Sequence, residues 1–510
     1  MASNLLKILT YSNKKESITE LTRAEYLKLL VDSFKDIGEY KLHSTQEWQE
    51  AITSFYDTGF YCKYPKGTDQ YKEFYNKEKH KIGRGVIVNG IFVPGTYYFF
   101  LNYCPVYEKT TKKTIKPEVW DGHYHAFLYL ETARVAREFG IILKVRQKGF
   151  SNLIASILLR EFWFVAWSTS KILAYEEVYV TDSWEIMRSF RDHINEHTAW
   201  YRNMAPDQHL YWKNQVEISE GTVDKKVTYQ GLKSSMKGIT TQRNTAKAVG
   251  GDASIIFHEE PGIAPNFLKV KGFVESNLKD GEVVTGMFIA SGSVGELKHV
   301  EGFEKGFKNP SAHNFRVIHN EDGTETGLFI PAYTNYKVID PETQEILKCY
   351  DEHGNSDVEL AKKYLAIAEE KAKKRSPKDY RLFKSQNPQT IQDAFGSRED
   401  TPFPTEILEE VKMNLKDETI NVTLHGDKTI FHEFTERKPV RTLNIKPDED
   451  NRGVIEIIEF PEPNPEPGLY YAGVDPTARI NSVTSKSLMS VVIMKASHIK
   501  EGKVVMDYPV

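Results

Sequence analysis

Three cations, a glycine and a serine lie close together in the segment 144–151. Lys144, Arg146 and Lys148 alternate with other residues, and Gly149 and Ser151 follow them. An apolar run before the segment predicts a strand, and a helical pattern follows it. The backbone N–H groups of such a turn, together with the N-terminus of the next helix, bind anions such as phosphate. Because Gly149 allows a close approach and the Ser151 hydroxyl can bind Mg²⁺, the segment predicts a phosphate-binding loop.

This loop departs from the usual pattern GxxxxGK[ST]. Phe150 stands where the pattern has lysine, and the first glycine is missing. One of the three earlier cations would therefore contact the phosphates. We favour Arg146, since a guanidinium binds phosphate oxygens in a bidentate manner, with Lys144 and Lys148 as alternatives. For this segment alone, a basic surface turn is the simpler interpretation.

Two adjacent acids, Glu259 and Glu260, end a second apolar run farther along the chain. They would lie at the edge where open α/β sheets bind ligands. In phosphoryl transfer one acid holds the metal and another orients the attacking water. We assign Glu259 to Mg²⁺ and Glu260 to water activation. A shift by one residue, with His258 and Glu259 in these roles, is the alternative.

Further candidate residues flank these two motifs. The next predicted strand, over 283–290, ends in Ser291, Gly292 and Ser293, a small polar turn that could sense the γ-phosphate. Tyr124 and His125, in a predicted helix over 118–139, are candidates to hold adenine, although packing is the simpler role for either one.

A basic segment lies between the two motifs. Residues 225–251 contain no acid and six cations, namely Lys225, Lys226, Lys233, Lys237, Arg243 and Lys247. Contact with DNA or nucleotide phosphate and a solvated basic loop are equally good interpretations.

The elements that must position these residues alternate between strand and helix. From residue 140 onward we predict a strand around 171–175, a helix over 181–197, a hairpin over 214–231 and strands ending near 259 and 290. Such alternation is typical of a wound parallel α/β sheet. Upstream, residues 1–84 are predicted to be mostly helical. Residues 85–107 are predicted to be β-like, with an Asn-Gly hairpin turn at 89–90 and the aromatic run 97–103 in the sheet core.

Length and composition limit the number of domains and the kinds of site that this chain can contain. The chain has 510 residues, of which 40% are hydrophobic, and a net charge of −4, which predicts two or three globular domains. No apolar run approaches the ~20 residues needed to span a bilayer, so we expect no membrane segment. Cys62, Cys104 and Cys349 lack CxxC spacing, which favours a reducing compartment and argues against a zinc site. Any nucleic-acid contact would have to come from local basic patches.

A proline-rich linker at 461–467 precedes a new set of predicted strands. The first ends in Asp475, and two further runs cover 488–495 and 503–508. Three strands without a covering helix make an incomplete domain. We therefore expect the natural protein to continue beyond Val510.

Taken in order, these motifs resemble those of the large terminase subunit of tailed bacteriophages. Segment 146–151 is similar to the family's deviant phosphate loop (Walker A), 255–262 to its acidic strand end (Walker B), and 290–293 to its coupling motif. Segment 387–395 resembles the stretch that closes the motor domain. Segment 473–476 resembles the start of the family's RNase H-like nuclease, although the two further acids of that site are absent.

The resemblance implies a domain order and a set of site residues. Residues 85–400 would form a P-loop ATPase domain of the ASCE type with a wound parallel sheet, 401–467 a connecting region, and 468–510 the first part of an RNase H-like nuclease domain. Residues 1–84 have no assigned role. Glu260 and Arg146 would be catalytic in the motor, Ser151 and Glu259 would bind Mg²⁺, and Asp475 would be a catalytic metal ligand of the nuclease. ATP would be bound by Tyr124, His125, Lys144, Arg146, Gln147, Lys148, Gly149, Phe150, Ser151, Asn152, Ser291, Gly292 and Ser293.

The function implied is ATP-driven translocation of double-stranded viral DNA into a procapsid. A nuclease that uses Mg²⁺ or Mn²⁺ would cut the concatemeric DNA. The implied partners are DNA, a portal protein, a small terminase subunit and further copies of the chain in a ring. The implied location is the host cytoplasm at the procapsid, without membrane attachment or secretion. The alternatives are an ATP-dependent helicase or recombination motor, and a non-enzymatic capsid or DNA-binding structural protein.

Overall fold

The structure, a computed structural model, describes most of the first 395 residues and short segments after them. The described ranges are 6–10, 17–21, 28, 30, 42–108, 111–200, 208–220, 226–242, 245–248, 250–294, 299–320, 323–340, 343–395, 422–425, 446–448, 455–457, 465, 468–475, 490–496, 498–500, 503–505 and 508–509. The chain divides into two compact units, Met1–Asp400 and Thr401–Val510. The proline-rich linker, apart from Pro465, lies outside the described residues.

The described α-helices all belong to the first unit. They are α1 (Glu50–Thr58), α2 (Asp69–Arg84), α3 (Gly95–Tyr103), α4 (Asp121–Ala136), α5 (Phe150–Phe164), α6 (Glu177–His197), α7 (Phe267–Glu275), α8 (Glu301–Lys308), α9 (Val358–Arg375), α10 (Pro377–Gln386) and α11 (Ile391–Phe395). Within the described residues, no helix combines the length and the apolar character needed to cross a bilayer.

The strands of the first unit form one large sheet and several small ones. They are β1 (Leu6–Thr10), β2 (Ser17–Leu21), β3 (Val86–Val88), β4 (Ile91–Val93), β5 (Val106–Glu108), β6 (Lys113–Ile115), β7 (Gly140–Lys144), β8 (Thr169–Ala174), β9 (Tyr211–Glu220), β10 (Lys226–Thr240), β11 (Ile255–Glu259), β12 (Lys279–Asp280), β13 (Val283–Val284), β14 (Met287–Gly292), β15 (Ile318–His319), β16 (Glu325–Thr326), β17 (Leu328–Ile330), β18 (Tyr336–Ile339) and β19 (Ile346–Cys349).

The large sheet has seven strands in the order β17-β7-β14-β11-β8-β10-β9. Every neighbouring pair is parallel except β10 with β9, which are antiparallel. The central strands are buried on both faces, as parallel strands covered by helices usually are. The predicted wound parallel α/β sheet is confirmed. Strand β14 lies between β7 and β11, so that the polar turn after β14 is next to both motifs.

Two apolar cores cover the two faces of this sheet. Helices α3 to α6 pack on one face, around residues such as Ile142, Phe257 and Ile289. Helices α7, α8 and α11 pack on the other face, around Leu143 and Phe288. Because side chains alternate along a strand, Glu259 points to the same face as Phe257, which is the face of α5.

Within residues 1–84, which were predicted to be mostly helical, the described residues form α1 and α2 but also two strands. Strands β1 and β2 pair with each other, and β1 also pairs with β3. The prediction for the aromatic run was wrong. The aromatic run 97–103 lies in α3, in which every residue is buried. A helix that is buried all round has no polar face, so its sequence shows no helical period. The predicted hairpin at 89–90 is confirmed by the antiparallel pair β3 and β4.

The described strands of the second unit are antiparallel. They are β20 (Val422–His425), β21 (Lys446–Asp448), β22 (Ile455–Ile457), β23 (Tyr470–Asp475), β24 (Ser490–Lys495), β25 (His498–Lys500), β26 (Lys503–Val505) and β27 (Tyr508–Pro509). Strand β24 lies between β23 and β27. Asp475 is the last residue of β23 and is in register with Ser490.

Candidate functional site

The predicted phosphate-binding loop lies between β7 and α5. Gln147 and Gly149 have positive φ angles of 63° and 69°, so the chain reverses sharply before the helix. Gly149 is the N-cap residue of α5, and the first backbone N–H groups of that helix lack helical partners and can bind an anion. Phe150 is buried and its ring packs edge-on to His123. The Phe150 side chain therefore belongs to the core, although its backbone begins the helix.

The two predicted acids lie at the end of β11, opposite this loop. The Ser151 hydroxyl donates a hydrogen bond of 3.2 Å to Glu259 Oε1, and the Ser183 hydroxyl donates one of 3.1 Å to Glu259 Oε2. Burial raises the pKa of Glu259 to about 7, and the charge of Glu260 acts in the same direction. Among the described residues no cation forms a direct ion pair with Glu259.

Glu260 has different partners from Glu259. Its Oε1 atom lies 2.5 Å from Lys144 Nζ. Its Oε2 atom accepts hydrogen bonds of 2.8 Å and 3.0 Å from the Ser293 N–H group and hydroxyl. The structure thus joins the last residue of β7, the acid after β11 and the turn after β14. Both carboxylate oxygens of Glu260 therefore have partners that hold the side chain in one position.

The backbone of Glu260 is in the left-handed region, with a φ of 43° and a ψ of 60°. This conformation costs a non-glycine residue about 1 kcal/mol or more, so the surrounding contacts must hold it. Gly292 is one reason why it can form, because a Cβ atom there would lie 2.9 Å from Glu260 Cα. The predicted sensor turn therefore also has a steric role, which is to let the backbone after β11 approach β14.

The three candidate cations of the loop have three different partners. Lys144 pairs with Glu260, as described above. Arg146 is exposed, and its Nε donates a hydrogen bond of 3.4 Å to Ser293 Oγ. Lys148 Nζ lies 3.4 Å from the backbone oxygen of Asn335 and above the ring of Tyr336. Burial lowers the pKa of Lys148 to about 7. Thus Lys144 and Arg146 reach the acid cluster, whereas Lys148 points to the segment after β17.

Tyr124 and His125 are not brought to the loop. Tyr124 is fully buried, and its hydroxyl donates to the Phe92 backbone oxygen at 2.9 Å. His125 is also buried, and burial lowers its pKa to about 3. The residue of α4 that does reach the loop is His123, whose Nε2 lies 2.6 Å from the Lys148 backbone oxygen. Because that oxygen can only accept, His123 Nε2 is the donor.

Sequence reasoning missed Ser183, His123 and Asn335. Ser183 lies in the first third of α6, between Asp182 and Trp184, where a serine gives no sign that it contacts Glu259. The N-terminal side of α4 carries a signal that was available: Asp121, His123 and His125 are the polar side chains in a run that is otherwise apolar or aromatic apart from Gly122. Asp121 accepts hydrogen bonds of 2.7 Å and 2.8 Å from Ser356, and it fixes the start of α4.

Other predicted residues are not part of this cluster. Gln147 and Asn152 remain predicted ATP contacts, and this prediction depends only on their positions in the loop and in the first turn of α5. Asp475 ends β23, and its side chain lies outside the described residues, as do the side chains of Lys225, Lys226, Arg243 and Lys247. Lys233 lies above the ring of Trp167, which is 70% exposed.

The comparisons with known proteins concern structures only, because no protein-family model and no curated protein matches the chain. The chain is similar to the large terminase of bacteriophage HK97, with 12% identity and a TM-score of 0.37 over 81% of this chain and 66% of that one. It is also similar to the large terminase ATPase domain of Thermus phage P74-26, with 12% identity and a TM-score of 0.31 over 49% of this chain and 87% of that domain. For a mutant form of that domain the values are 14% and 0.29, over 38% and 76%. The family that the sequence motifs resemble is the family of these solved structures.

Proposed function

We propose that this chain is an ATP-hydrolysing motor that moves double-stranded DNA into a viral procapsid. The observation that supports it most is that the two adjacent acids at the end of β11 have separate partners. Glu259 is held by two serine hydroxyls, one of them from the phosphate loop, and Glu260 is held by Lys144 and Ser293. Such a pair of neighbouring carboxylates with separate partners suits phosphoryl transfer.

The residues around Glu259 fit Mg²⁺. The Ser151 hydroxyl and the Glu259 carboxylate are oxygen ligands, which Mg²⁺ prefers. A buried carboxylate that lacks a direct cation partner favours the arrival of one. Bound Mg²⁺ would neutralise phosphate charge and polarise the γ-phosphate.

The residues of the loop fit a triphosphate. The backbone of Gly149 and the N-terminus of α5 would bind its oxygens, and Arg146 would reach them from its exposed position. Glu260 would accept a proton from the attacking water, while Ser293 holds the carboxylate in place. This assignment makes Glu260 the general base and Ser151 and Glu259 the metal ligands.

The test is steady-state ATP hydrolysis by the full chain, with and without double-stranded DNA. We expect Glu260→Gln to lower turnover by about 100-fold or more, because general bases contribute that much, and to leave nucleotide binding intact. The matched control is Glu275→Gln, which removes another ion-paired carboxylate of the same unit, bound to Lys271 and Lys279. Hydrolysis by Glu260→Gln at the wild-type rate would contradict the catalytic assignment, and a wild-type chain that binds no Mg-ATP would contradict the ATPase itself.

The further parts of the proposal rest on the resemblance. They are a nuclease with Asp475 as a ligand of Mg²⁺ or Mn²⁺, a portal and a small subunit as partners, and a ring of copies at the procapsid. The test of the nuclease is metal-dependent cutting of a DNA concatemer by the protein, compared with its Asp475→Asn variant. Strand separation by the chain without any capsid would favour the helicase alternative.

A further inference from the structure

The hairpin of α9 and α10 ends in a strongly basic tip. We define the hairpin tip as residues 371–381, which contain six cations and one acid, a formal charge of +5 in a chain whose net charge is −4. Charge of one sign is therefore concentrated in a short segment of a chain that is acidic as a whole. Such a local concentration of cations creates a positive electrostatic potential that attracts anionic molecules.

Most cations of the hairpin tip have no acidic partner. Lys371, Lys374, Arg375 and Arg381 are exposed, and no described residue pairs with them in an ion pair. Lys373 of the tip pairs with Glu370 at 3.0 Å, and Lys384 of α10 pairs with Asp393 at 2.8 Å. Lys362 and Lys363 of α9 are exposed and also have no ion-pair partner among the described residues. Most of the hairpin's unpaired cations therefore lie at the tip.

The helix dipole explains only part of this pattern. Lys374 and Arg375 lie in the last turn of α9, where a cation gains about 0.3–1 kcal/mol from the dipole. That gain does not apply to Lys371, which lies before the last turn, or to Arg381, which lies inside α10. Lys373 lies above the ring of Tyr380 at 5.1 Å, which brings the two helices together beside these cations.

The base of the hairpin packs directly on the phosphate-binding loop. Leu365 of α9 forms a small core with Ala332 and Val145, and Phe383 and Tyr336 pack against it. Val145 follows Lys144, and Tyr336 carries Lys148 above its ring. The same helical hairpin therefore contacts the loop at one end and presents unpaired cations at the other.

We propose that the hairpin tip binds the phosphate backbone of double-stranded DNA, independently of base sequence. Exposed lysines and arginines without acidic partners are the groups that neutralise phosphates and release counterions. The choice of DNA as the polyanion rests on the proposed function. The packing on Val145 and Tyr336 joins this contact to the nucleotide site, so that bound DNA can influence the loop.

The test compares duplex binding by the full chain and by the variant Lys371→Gln/Lys374→Gln/Arg375→Gln. A short fluorescent duplex of mixed sequence is titrated without nucleotide at several salt concentrations. We expect binding to weaken at least tenfold and the slope of log K against log salt to fall by about 0.9 for each lost contact. In the presence of ATP, basal hydrolysis stays unchanged while any stimulation by the duplex is lost.

A control variant removes the same charge elsewhere. Lys63→Gln/Lys66→Gln/Lys79→Gln changes three exposed lysines outside the hairpin and should bind the duplex like the wild type. Equal losses in both variants, unchanged binding by the tip variant, or a wild-type chain that binds no duplex would each overturn the proposal. Loss of self-association without loss of duplex binding would assign the tip to an acidic face of a second copy and overturn it too. Because binding is measured without nucleotide, absence of ATP hydrolysis would contradict only the proposed motor function.

Discussion

Replacing Lys144 with methionine is the sharpest perturbation of the site. Lys144 is 7% exposed, and its Nζ atom lies 2.5 Å from Glu260 Oε1. Methionine keeps most of the side-chain length and removes the ammonium group. Glu260 would then keep its two hydrogen bonds from Ser293 but lose its cation beside a second carboxylate, Glu259.

The expected cost follows from the burial of the pair. Removing one partner of a fully buried ion pair costs about 3–5 kcal/mol, because the other charge is left uncompensated. The Glu260 side chain is 14% exposed and retains the Ser293 contacts, so we expect the free energy of unfolding to fall by about 2–3 kcal/mol. Glu260→Gln should cost a similar amount, since it leaves Lys144 without an anion. The double variant should cost little more than either single one, which gives a coupling energy of about 2 kcal/mol.

Tryptophan fluorescence in urea can measure this cycle without nucleotide. All seven tryptophans lie in the first unit, Met1–Asp400, so the signal reports unfolding of the unit that contains the site. The control pair is Lys271→Met with Glu275→Gln, a partly buried ion pair on α7 at 2.5 Å, whose coupling should be independent of any Lys144 substitution. A coupling energy below about 0.5 kcal/mol for Lys144 and Glu260 would refute the reasoning, because such a value is the normal scatter of independent sites.

Three further predictions test neighbouring features of the site. Gly292→Ala would place a Cβ atom 2.9 Å from Glu260 Cα, so we expect it to lower the free energy of unfolding by about 1–3 kcal/mol in urea. Ser183→Ala removes a hydrogen bond to Glu259 and should raise the Mg²⁺ concentration for half-maximal hydrolysis about tenfold, whereas Ser183→Thr should not. Lys148 has a pKa of about 7 instead of 10.5, so the unfolded chain binds more protons between these values. Stability should therefore rise with pH over that range, and Lys148→Met should flatten the rise.

The positions of the strands and acids could be predicted because their signals are local. Each central strand is a short apolar run, and an acid or small polar turn after it falls at the carboxyl edge of a parallel sheet. Placing Glu259, Glu260 and Ser293 close together needed only the assumption that β11 and β14 are neighbours. The register between Glu259 and Ser291 bears out that assumption.

Contacts between distant segments could not be predicted in the same way. Ser183 reaches Glu259 because α6 crosses the sheet face at that point, and a single sequence does not determine that crossing. The aromatic run 97–103 was assigned to the sheet because aromatic residues favour strands. Its complete burial among other helices overrides that preference. Residues 6–10 became a strand because an edge beside β3 was available to pair with.

The three cations of the phosphate loop show why residue type alone could not assign their roles. Lys144, Arg146 and Lys148 are spaced two residues apart, and in an extended strand they would all point to one face. The strand ends at Lys144, however, and the positive φ of Gln147 reverses the chain before Lys148. As a result Lys144 faces Glu260, while Lys148 faces Asn335 on the opposite side of the turn. A guanidinium was the better choice on chemical grounds, and Arg146 does reach the cluster through Ser293. The backbone conformation of the turn, with positive φ at Gln147 and Gly149, determines that Lys144 and not Lys148 joins the acid cluster.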